Sequence, residues 1–149
     1  MLIIRRAEQH DRQAWQMLWH ENCKHFGAEG MTRAVIDGLW QRLMDPEGTM
    51  TAWLAFSEGE PVGLTHTVLH PHTFSLRPVC YLEDLWVSPT SRRTGVATKL
   101  IAHLKALGEQ EGWRRLYWET GSENEAAQRL YSRIAQRRPM LTYQIEITD

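Results

Sequence analysis

Apolar residues recur along the chain with two periods, one typical of helices and one of strands. Near the amino terminus, a short apolar run from Leu2 to Ala7 predicts the first strand. Two amphipathic stretches follow, and each begins at a residue type that commonly caps a helix, Asp11 in the first and Thr32 in the second. Their apolar stripes are Trp15, Leu18 and Trp19, and then Ile36, Leu39, Trp40 and Leu43. The pattern therefore predicts one strand followed by two helices.

The middle of the chain alternates in the manner of half-buried strands. The runs from Met50 to Ser57 and from Val62 to Leu69 flank the turn sequence Glu58-Gly59-Glu60-Pro61, which predicts a hairpin. The stretch from His70 to Pro78 holds two prolines and is expected to be a loop. A further strand is predicted from Cys80 to Val87.

The second half of the chain alternates helices and strands. We expect a helix from Gly95 to about Glu111, a strand from Arg114 to Thr120, a helix from Asn124 to Ile134 and a strand from Met140 to Ile147. The first of these helices joins two strands as a crossover, so those strands should be parallel. The predicted fold is a single α/β domain over residues 1–149, with a mixed, twisted sheet of about six strands and four helices in the order β-α-α-β-β-β-α-β-α-β.

Composition and charge exclude several classes of partner. The 149 residues are 42% hydrophobic and 23% charged, which is typical of a globular protein. The formal net charge of -1 lacks the basic footprint of a nucleic-acid binder. No apolar run approaches the roughly 20 residues that cross a bilayer. We therefore expect no nucleic acid and no membrane among the partners.

The cysteines and the amino terminus bear on the compartment. Cys23 and Cys80 are far apart and in no metal-ligand spacing. The amino terminus becomes charged at Arg5, too soon for a secretory signal. We expect two free thiols in a reducing compartment, the cytoplasm.

The block from Leu85 to Thr98 is the most informative part of the sequence. A buried strand runs through a short turn into the amino terminus of the longest helix, where the small residues Gly95 and Ala97 let a ligand approach the backbone. The first amides of a helix have no internal acceptor and, with the helix dipole, favour a phosphate or pyrophosphate. Arg92 and Arg93 add mobile positive charge. By itself the pattern also suits an ordinary helix start, but the following strand and helix favour a ligand site.

Two motifs of the chain resemble those of the GCN5-related N-acetyltransferase family. The segment from Arg92 to Ala97 matches the family's Gln/Arg-x-x-Gly-x-Gly/Ala pyrophosphate loop, and the segment from Asn124 to Tyr131 matches its Asn-x-x-Ala-x-x-Leu-Tyr helix. The resemblance covers nearly the whole chain in element order and is specific from about Tyr81 to Tyr131. The family often has Gly-Phe after the tyrosine helix, whereas this chain continues differently from Ile134 to Met140 and resembles the Hpa2-like branch.

The resemblance implies acetyl-CoA as the co-substrate, without a metal. The main chain of Leu85, Trp86 and Val87 would pair with the pantetheine arm. Around the pyrophosphate, the implied contacts are Arg92, Arg93, Thr94, Gly95, Val96, Ala97 and Thr98. Asn124 and Ala127 would contact the coenzyme, and Tyr131 would face its sulfur.

The implied reaction is direct attack of a primary amine on the thioester in a ternary complex. An alkylamine has a pKa of about 10.4, so a carboxylate or a water chain must take its proton. Glu83 and Asp84 precede the coenzyme-binding strand segment, and alternation sends them to opposite faces unless a bulge intervenes. At least one is expected in the acceptor site. Tyr131 is expected to stabilise the thiolate by hydrogen bonding more than by proton transfer, because a phenol pKa of about 10 exceeds the thiol value of about 8.5.

Three histidines raise the question of a metal site. Strand spacing puts His66 and His70 on one face, and His72 follows. No carboxylate or cysteine in the pattern completes a ligand set, so we expect surface or loop histidines, which would line the acceptor cleft at most.

Several functional alternatives remain open from the sequence. The carboxylates suit a cationic amine, such as a polyamine, an aminoglycoside or a lysine side chain, and a peptide amino terminus is also compatible. A non-catalytic acyl-CoA-binding sensor is the main alternative function, and the charge balance disfavours a nucleic-acid-associated module. Seven tryptophans and a final strand from Met140 to Ile147 at a sheet edge favour a homo-oligomer.

Overall fold

The chain divides into two units in the computed structural model, which describes residues 1–28 and 31–148. The first unit, Met1–Trp118, contains a five-stranded sheet and three α-helices. The second unit, Glu119–Asp149, contains one α-helix. The predicted succession of elements is confirmed up to this last helix.

The sheet follows chain order, β1-β2-β3-β4-β5. Its strands are β1 (Leu2–Arg6), β2 (Met50–Ser57), β3 (Glu60–His72), β4 (Ser75–Val87) and β5 (Arg115–Tyr117). The first four pair antiparallel, and β4 pairs parallel with β5 across the helical crossover. The predicted hairpin and the predicted parallel pair are both confirmed.

The helices are α1 (Arg12–His25), α2 (Arg33–Met44), α3 (Val96–Glu111) and α4 (Glu125–Ile134), with short 3-10 turns at Gln9–Asp11 and Pro89–Ser91. The Thr32 hydroxyl accepts from the Val35 amide at 3.2 Å and so caps α2, as predicted. Gly112 ends α3 in the left-handed conformation, with φ 78°. Within the described chain, no helix is long and apolar enough to cross a membrane.

Apolar side chains on the two faces of the sheet form separate clusters. The larger cluster lies against α1 and α2 and comprises Ala7, Trp15, Leu18, Trp19, Cys23, Trp40, Leu43, Ala52, Leu54, Leu64 and Trp86. The smaller lies against α3 and comprises Ala55, Val62, Val96 and Leu100. Consecutive strand residues such as Leu54 and Ala55 belong to opposite clusters, as strand alternation requires. The sheet is therefore a middle layer between helices on both faces.

Asp11 does not cap α1 with its side chain, contrary to the prediction. Its buried carboxylate instead accepts two hydrogen bonds from the Arg5 guanidinium, at 2.7 and 3.0 Å, and a third from the Glu8 amide at 2.8 Å. The Arg5 hydrogen bonds hold the pKa of Asp11 below its usual value. This charge pair ties the start of α1 to β1.

The predicted loop from His70 to Pro78 is wrong, because β3 and β4 continue through it to a tight turn between His72 and Ser75. The two prolines are accommodated where the ladder is irregular, since the register shifts between His70 and His72. Pro78 also offers its carbonyl to the Arg114 amide at 2.8 Å.

The two predicted C-terminal strands also differ from the structure. Only Arg115–Tyr117 pairs with β4, so the predicted strand from Arg114 to Thr120 is shortened to β5. The predicted strand from Met140 to Ile147 is absent from the described chain, where this segment has no regular structure and its alternating apolar side chains are exposed. A strand needs a paired edge, and this segment has none among the described residues. The sheet therefore has five strands instead of about six.

Candidate functional site

Strand β4 extends beyond its neighbour at one edge. β5 pairs only with Val79, Cys80 and Tyr81, whereas β3 pairs with β4 as far as Val87. From Leu82 onward, the edge of β4 that faces away from β3 has no strand beside it in the described part of the chain. We call this segment, Leu82 to Val87, the open edge. Such an edge offers main-chain hydrogen bonds to an extended ligand.

The ladder between β3 and β4 shows which main-chain groups face the open edge. The Ser88 amide donates to the Val62 carbonyl at 2.9 Å, so these two residues form a hydrogen-bonded pair. Bonded and non-bonded pairs alternate along an antiparallel ladder, which makes the adjacent pair Gly63–Val87 non-bonded. The N–H and C=O of Val87, and by the same alternation those of Leu85, therefore point to the open edge. Two of the three predicted pantetheine-pairing residues are thus oriented for that role.

Trp86, the third of these residues, belongs to the core. Its side chain is 5% exposed, and its indole N–H donates to the Glu21 carboxylate at 3.0 Å. The Arg92 guanidinium lies over the indole ring, 4.7 Å from the centroid, and its Nε–H donates to the Val87 carbonyl at 3.1 Å. Arg92 is therefore held by two contacts and is not the mobile charge that the sequence suggested.

The turn between β4 and α3 presents unpaired amides. Arg93 and Gly95 both have left-handed backbones, with φ 64° and 83°. The first internal hydrogen bond of α3 runs from the Lys99 amide to the Gly95 carbonyl at 3.0 Å. The amides of residues 96–98 consequently have no acceptor within the helix, and the described residues supply no side-chain cap to Gly95. Consecutive free amides at a helix start form a site for an anion such as a pyrophosphate.

A second glycine places this turn against the sheet. A Cβ atom at Gly63 of β3 would lie 3.0 Å from Val96 Cγ1 and 3.1 Å from Leu100 Cδ1, closer than normal packing allows. The absence of a side chain at Gly63 thus lets the first turn of α3 pack tightly on β3, directly beside Val87. The anion site and the open edge are therefore contiguous within the first unit.

The two candidate carboxylates are separated by a β-bulge. His66 lies opposite Asp84, but the next residue, Thr67, lies opposite Leu82, so Glu83 is the extra residue of β4. Asp84 therefore shares the face of His66, whose Nδ1 lies 3.0 Å from Asp84 Oδ2. Asp84 is partly buried, whereas Glu83 is exposed. Of the two arrangements that the sequence leaves open for Glu83 and Asp84, simple alternation or a bulge, the structure has the bulge.

A cleft of about 1040 Å³ runs beside α1 on the Asp84 face of the sheet. Its described lining includes Trp19, Cys23 and the acid Glu21, together with the cations Arg12 and Lys24. Burial raises the pKa of the Cys23 thiol, and the charge of Asp84 raises it further. Cys23 therefore lines the cleft and also interacts electrostatically with Asp84, which is not among the described lining residues.

Glu21 is a site residue that the sequence reasoning missed. Its Oε1 accepts from the Ser88 hydroxyl at 2.7 Å and from the Trp86 indole at 3.0 Å, so it contacts both neighbours of Val87. Glu21 follows Leu18 by three positions and therefore lies near the buried face of α1. The three-residue spacing from Leu18 to Glu21 is the sequence feature that would have predicted an acidic side chain facing the sheet.

The candidate residues of the second unit lie on α4. The Asn124 side chain caps this helix, because its Oδ1 accepts from the Ala127 amide at 3.1 Å. Burial raises the pKa of the Tyr131 phenol above its usual value. At neutral pH the hydroxyl is therefore protonated and able to donate a hydrogen bond.

The histidines differ from expectation in one case. His66 is 1% exposed, so the prediction of a surface or loop position is wrong for it. His70 lies with its Nε2 3.0 Å from the Tyr117 hydroxyl, at the β5 side of the sheet. In the described ranges, no group of three or more His, Cys, Asp or Glu side chains is arranged to hold a metal ion.

Comparison with known proteins relates this arrangement to enzymes of acetyl transfer. Residues 13–135 match the family model described as Acetyltransferase (GNAT) family. A D-amino-acid N-acetyltransferase of Saccharomyces cerevisiae, HPA3, is 29% identical over 144 residues, which cover 95% of this chain and 89% of that protein.

Solved structures show the same fold. The crystal structure of an aminoglycoside acetyltransferase, HMB0005, from an uncultured soil metagenomic sample superposes with a TM-score of 0.83 at 25% identity, covering 99% of each chain. The crystal structure of "a probable acetyltransferase" superposes with a TM-score of 0.87 at 24% identity, again covering 99% of each chain. The predicted α/β fold class is therefore confirmed.

Gly95→Val is expected to weaken coenzyme A binding by about tenfold or more. A left-handed backbone disfavours a residue with a side chain by about 1–2 kcal/mol, so the turn should relax and misplace its amides. Gly59→Val is the matched control, because Gly59 also has φ 83° and, like Gly95, no atom within 4 Å of an added Cβ, yet it lies in the β2–β3 turn. Isothermal titration of both folded variants with coenzyme A measures the difference. Equal affinities for the two variants would contradict the assignment of the anion site.

Proposed function

The chain belongs to the GNAT acetyltransferase family and is an acetyl-CoA-dependent N-acetyltransferase of amines. We propose that its acceptor is a small cationic amine, which attacks the thioester directly in a ternary complex. The observation that carries this proposal is the pair of acidic side chains on the α1 face, Glu21 and Asp84. Asp84 lies on the open edge of β4, and Glu21 of α1 contacts Trp86 and Ser88 on either side of Val87. Negative charge at these two side chains attracts a protonated amine.

The names of the relatives favour the same class of acceptor. The yeast relative acts on D-amino acids and the soil enzyme on aminoglycosides, and both kinds of molecule carry a primary amine that is cationic at neutral pH. A small-molecule amine is therefore preferred here over a lysine side chain or a peptide amino terminus.

The coenzyme is proposed to bind along β4 and the start of α3. The main-chain groups of Leu85 and Val87 would hold the pantetheine arm as an added strand, and the free amides of residues 96–98 would hold the pyrophosphate. Arg92 and Arg93 would balance its charge, with Thr94 and the rest of the turn forming the main-chain cradle. Asn124 and Ala127 remain proposed coenzyme contacts on the strength of the family motif.

The chemistry is proposed to proceed in one direct transfer. The amine nitrogen loses a proton to Asp84, or to water that Asp84 holds, and attacks the thioester carbonyl carbon. The carbonyl oxygen becomes an oxyanion, to which the outward-facing Val87 N–H donates. The C–S bond then breaks, the nitrogen gives its second proton to water held at Asp84 so that a neutral acetamide forms, and the thiolate accepts a hydrogen bond from the protonated Tyr131 hydroxyl. Glu83 is the less favoured base, since it is the exposed residue of the bulge.

We also propose that the two units form a single N-acetyltransferase domain over residues 1–149, since the family match spans both. The proposed compartment is the reducing cytoplasm, because Cys23 and Cys80 are both free and buried.

A panel of amines tests the proposed function. The candidate acceptors are a polyamine, an aminoglycoside and a D-amino acid. At least one of them is expected to release the coenzyme A thiol at high turnover. Matched controls replace the amine of each acceptor by a hydroxyl group and should release none. Tight coenzyme A binding without thiol release for any amine would instead favour an acyl-CoA-binding sensor.

Tyr131→Phe is expected to lower the rate of acetyl transfer by about tenfold or more with little change in coenzyme A affinity. Phenylalanine keeps the ring packing of α4 and removes only the hydroxyl that would donate to the thiolate. Tyr143→Phe is a matched control, because Tyr143 is 88% exposed in the C-terminal segment. Single-turnover measurements at saturating substrates separate transfer from binding. An unchanged transfer rate would assign Tyr131 to packing.

We further propose that the protein is a homo-oligomer in which residues 140–147 pair with a second copy. Leu141, Tyr143, Ile145 and Ile147 alternate with polar residues and are each more than 80% exposed, so pairing of this segment as an extended chain would bring four apolar side chains to one side. Sedimentation at micromolar concentration should show a dimer or larger assembly for the wild type and a shift to monomer for Tyr143→Asp with Ile145→Asp. A strictly monomeric wild type would end this proposal.

A further inference from the structure

A buried chain of hydrogen bonds links α1, β3 and β4 on the cleft side of the sheet. The Trp15 indole Nε1 lies 2.9 Å from His66 Nε2, and His66 Nδ1 lies 3.0 Å from Asp84 Oδ2. Trp15 is fully buried and His66 is 1% exposed, whereas Asp84 retains 27% exposure. The chain thus runs from the core to a carboxylate at the surface of the site.

The direction of each hydrogen bond follows from the chemistry of the indole. Its N–H is a donor only, so His66 Nε2 must accept with its lone pair. The single proton of a neutral imidazole then resides on Nδ1, from which it is donated to Asp84 Oδ2. Trp15 in this way selects the tautomer of His66.

The same contact occupies the lone pair of His66 Nε2. A second proton on Nε2 would point directly at the indole N–H and leave both donors without an acceptor. Aromatic rings surround the imidazole, with the Trp15 and Trp19 rings 6.2 and 4.8 Å from it between centroids. Of the ionisable groups of α1, Cys23 interacts with Asp84, and a thiol is not a cation. His66 thus orients Asp84 without cancelling its negative charge.

Asp84 is left with one oxygen for chemistry. Oδ2 is engaged by His66, while Oδ1 has no hydrogen-bond partner within the described parts of the chain. The bulge at Glu83 turns Asp84 to this face, and His66 fixes its rotamer there. A carboxylate fixed by one oxygen and open at the other is suited to take up an amine proton.

We propose that His66 is a positioning residue for acetyl transfer, which through its Nδ1–H holds the Asp84 carboxylate correctly oriented for the acceptor amine. The proposal rests on the proposed function, in which Asp84 receives the amine proton. A merely structural His66 would serve only to satisfy two buried partners. The two roles differ in which ring nitrogen matters for turnover.

Two substitutions of similar size separate the nitrogens. In His66→Asn, the side-chain amide occupies the position of Nδ1 and can donate to Asp84. In His66→Gln, the amide reaches the position of Nε2 and retains a partner for Trp15 instead. Both remove the ring, so the lost packing is similar. The coenzyme A affinity and the melting temperature of each variant report whether its fold is intact.

The rate constant for acetyl transfer at saturating substrates is the deciding measurement. The transfer rate constant of His66→Asn should exceed that of His66→Gln by about tenfold, which is the lower end of what an orienting partner contributes. The difference should disappear when both are combined with Asp84→Asn, because the donor then has no carboxylate to orient. Equal transfer rates for His66→Asn and His66→Gln when Asp84 is retained would overturn the proposal. A wild type without thiol release for any amine would instead contradict the proposed function, so the two failures are distinguishable.

A measurement on the wild-type protein covers the case in which the His66 variants do not fold. The ¹⁵N chemical shifts of the imidazole at neutral pH should show a protonated Nδ1 and an unprotonated Nε2. An Nε2–H tautomer or an imidazolium at neutral pH would overturn the proposal.

Discussion

The pairing between β4 and β5 stops at Tyr81, while β4 continues beside β3 as far as Val87. Main-chain groups that are not paired within the fold require another partner or water. Leu85 and Val87 direct their main-chain groups to the open edge, where the Val87 carbonyl accepts from the Arg92 guanidinium and the Val87 N–H is left for a ligand, so the sheet provides a template for an extended ligand. Within the first unit, the free amides of α3 and the side chains of Glu21 and Asp84 all lie near this edge.

The two ends of the site have opposite electrostatic character. The start of α3 presents free amides and arginine side chains, which suit the anionic coenzyme. The α1 face presents Glu21 and Asp84, which suit a cationic amine. Gly63 allows α3 to lie close to β3, so these regions meet near Val87. We propose that the amine reaches Val87 from the α1 side of β4 and that the coenzyme reaches it from the α3 side.

Local patterns predicted most of the fold because they are carried by neighbouring residues. The Thr32 cap and the Glu58-Gly59 turn each depend on a few adjacent positions. The β3–β4 extension was missed because its prolines suggested a loop, yet they fit where the register is irregular. The final strand was overpredicted because alternation alone does not supply a paired edge.

The candidate site was predictable to a different extent in its two halves. The proposed coenzyme loop is a contiguous motif, so the positions from Arg92 to Thr98 can be picked out from the sequence. The acceptor side depends on long-range contacts. Glu21 meets Trp86 across 65 positions, and Trp15 meets His66 across 51. The bulge at Glu83 is likewise a property of the β3–β4 register, which no local pattern specifies.

Residue-resolved amide hydrogen exchange, with and without acetyl-CoA, tests the role of the open edge most directly. The account predicts that acetyl-CoA slows exchange at Leu85 and Val87 and at residues 96–98. The Trp86 amide, which alternation directs toward β3, should be protected in both states and serves as an internal reference. Unchanged exchange at Leu85 and Val87 under saturating acetyl-CoA would contradict the claim that the coenzyme pairs with this edge.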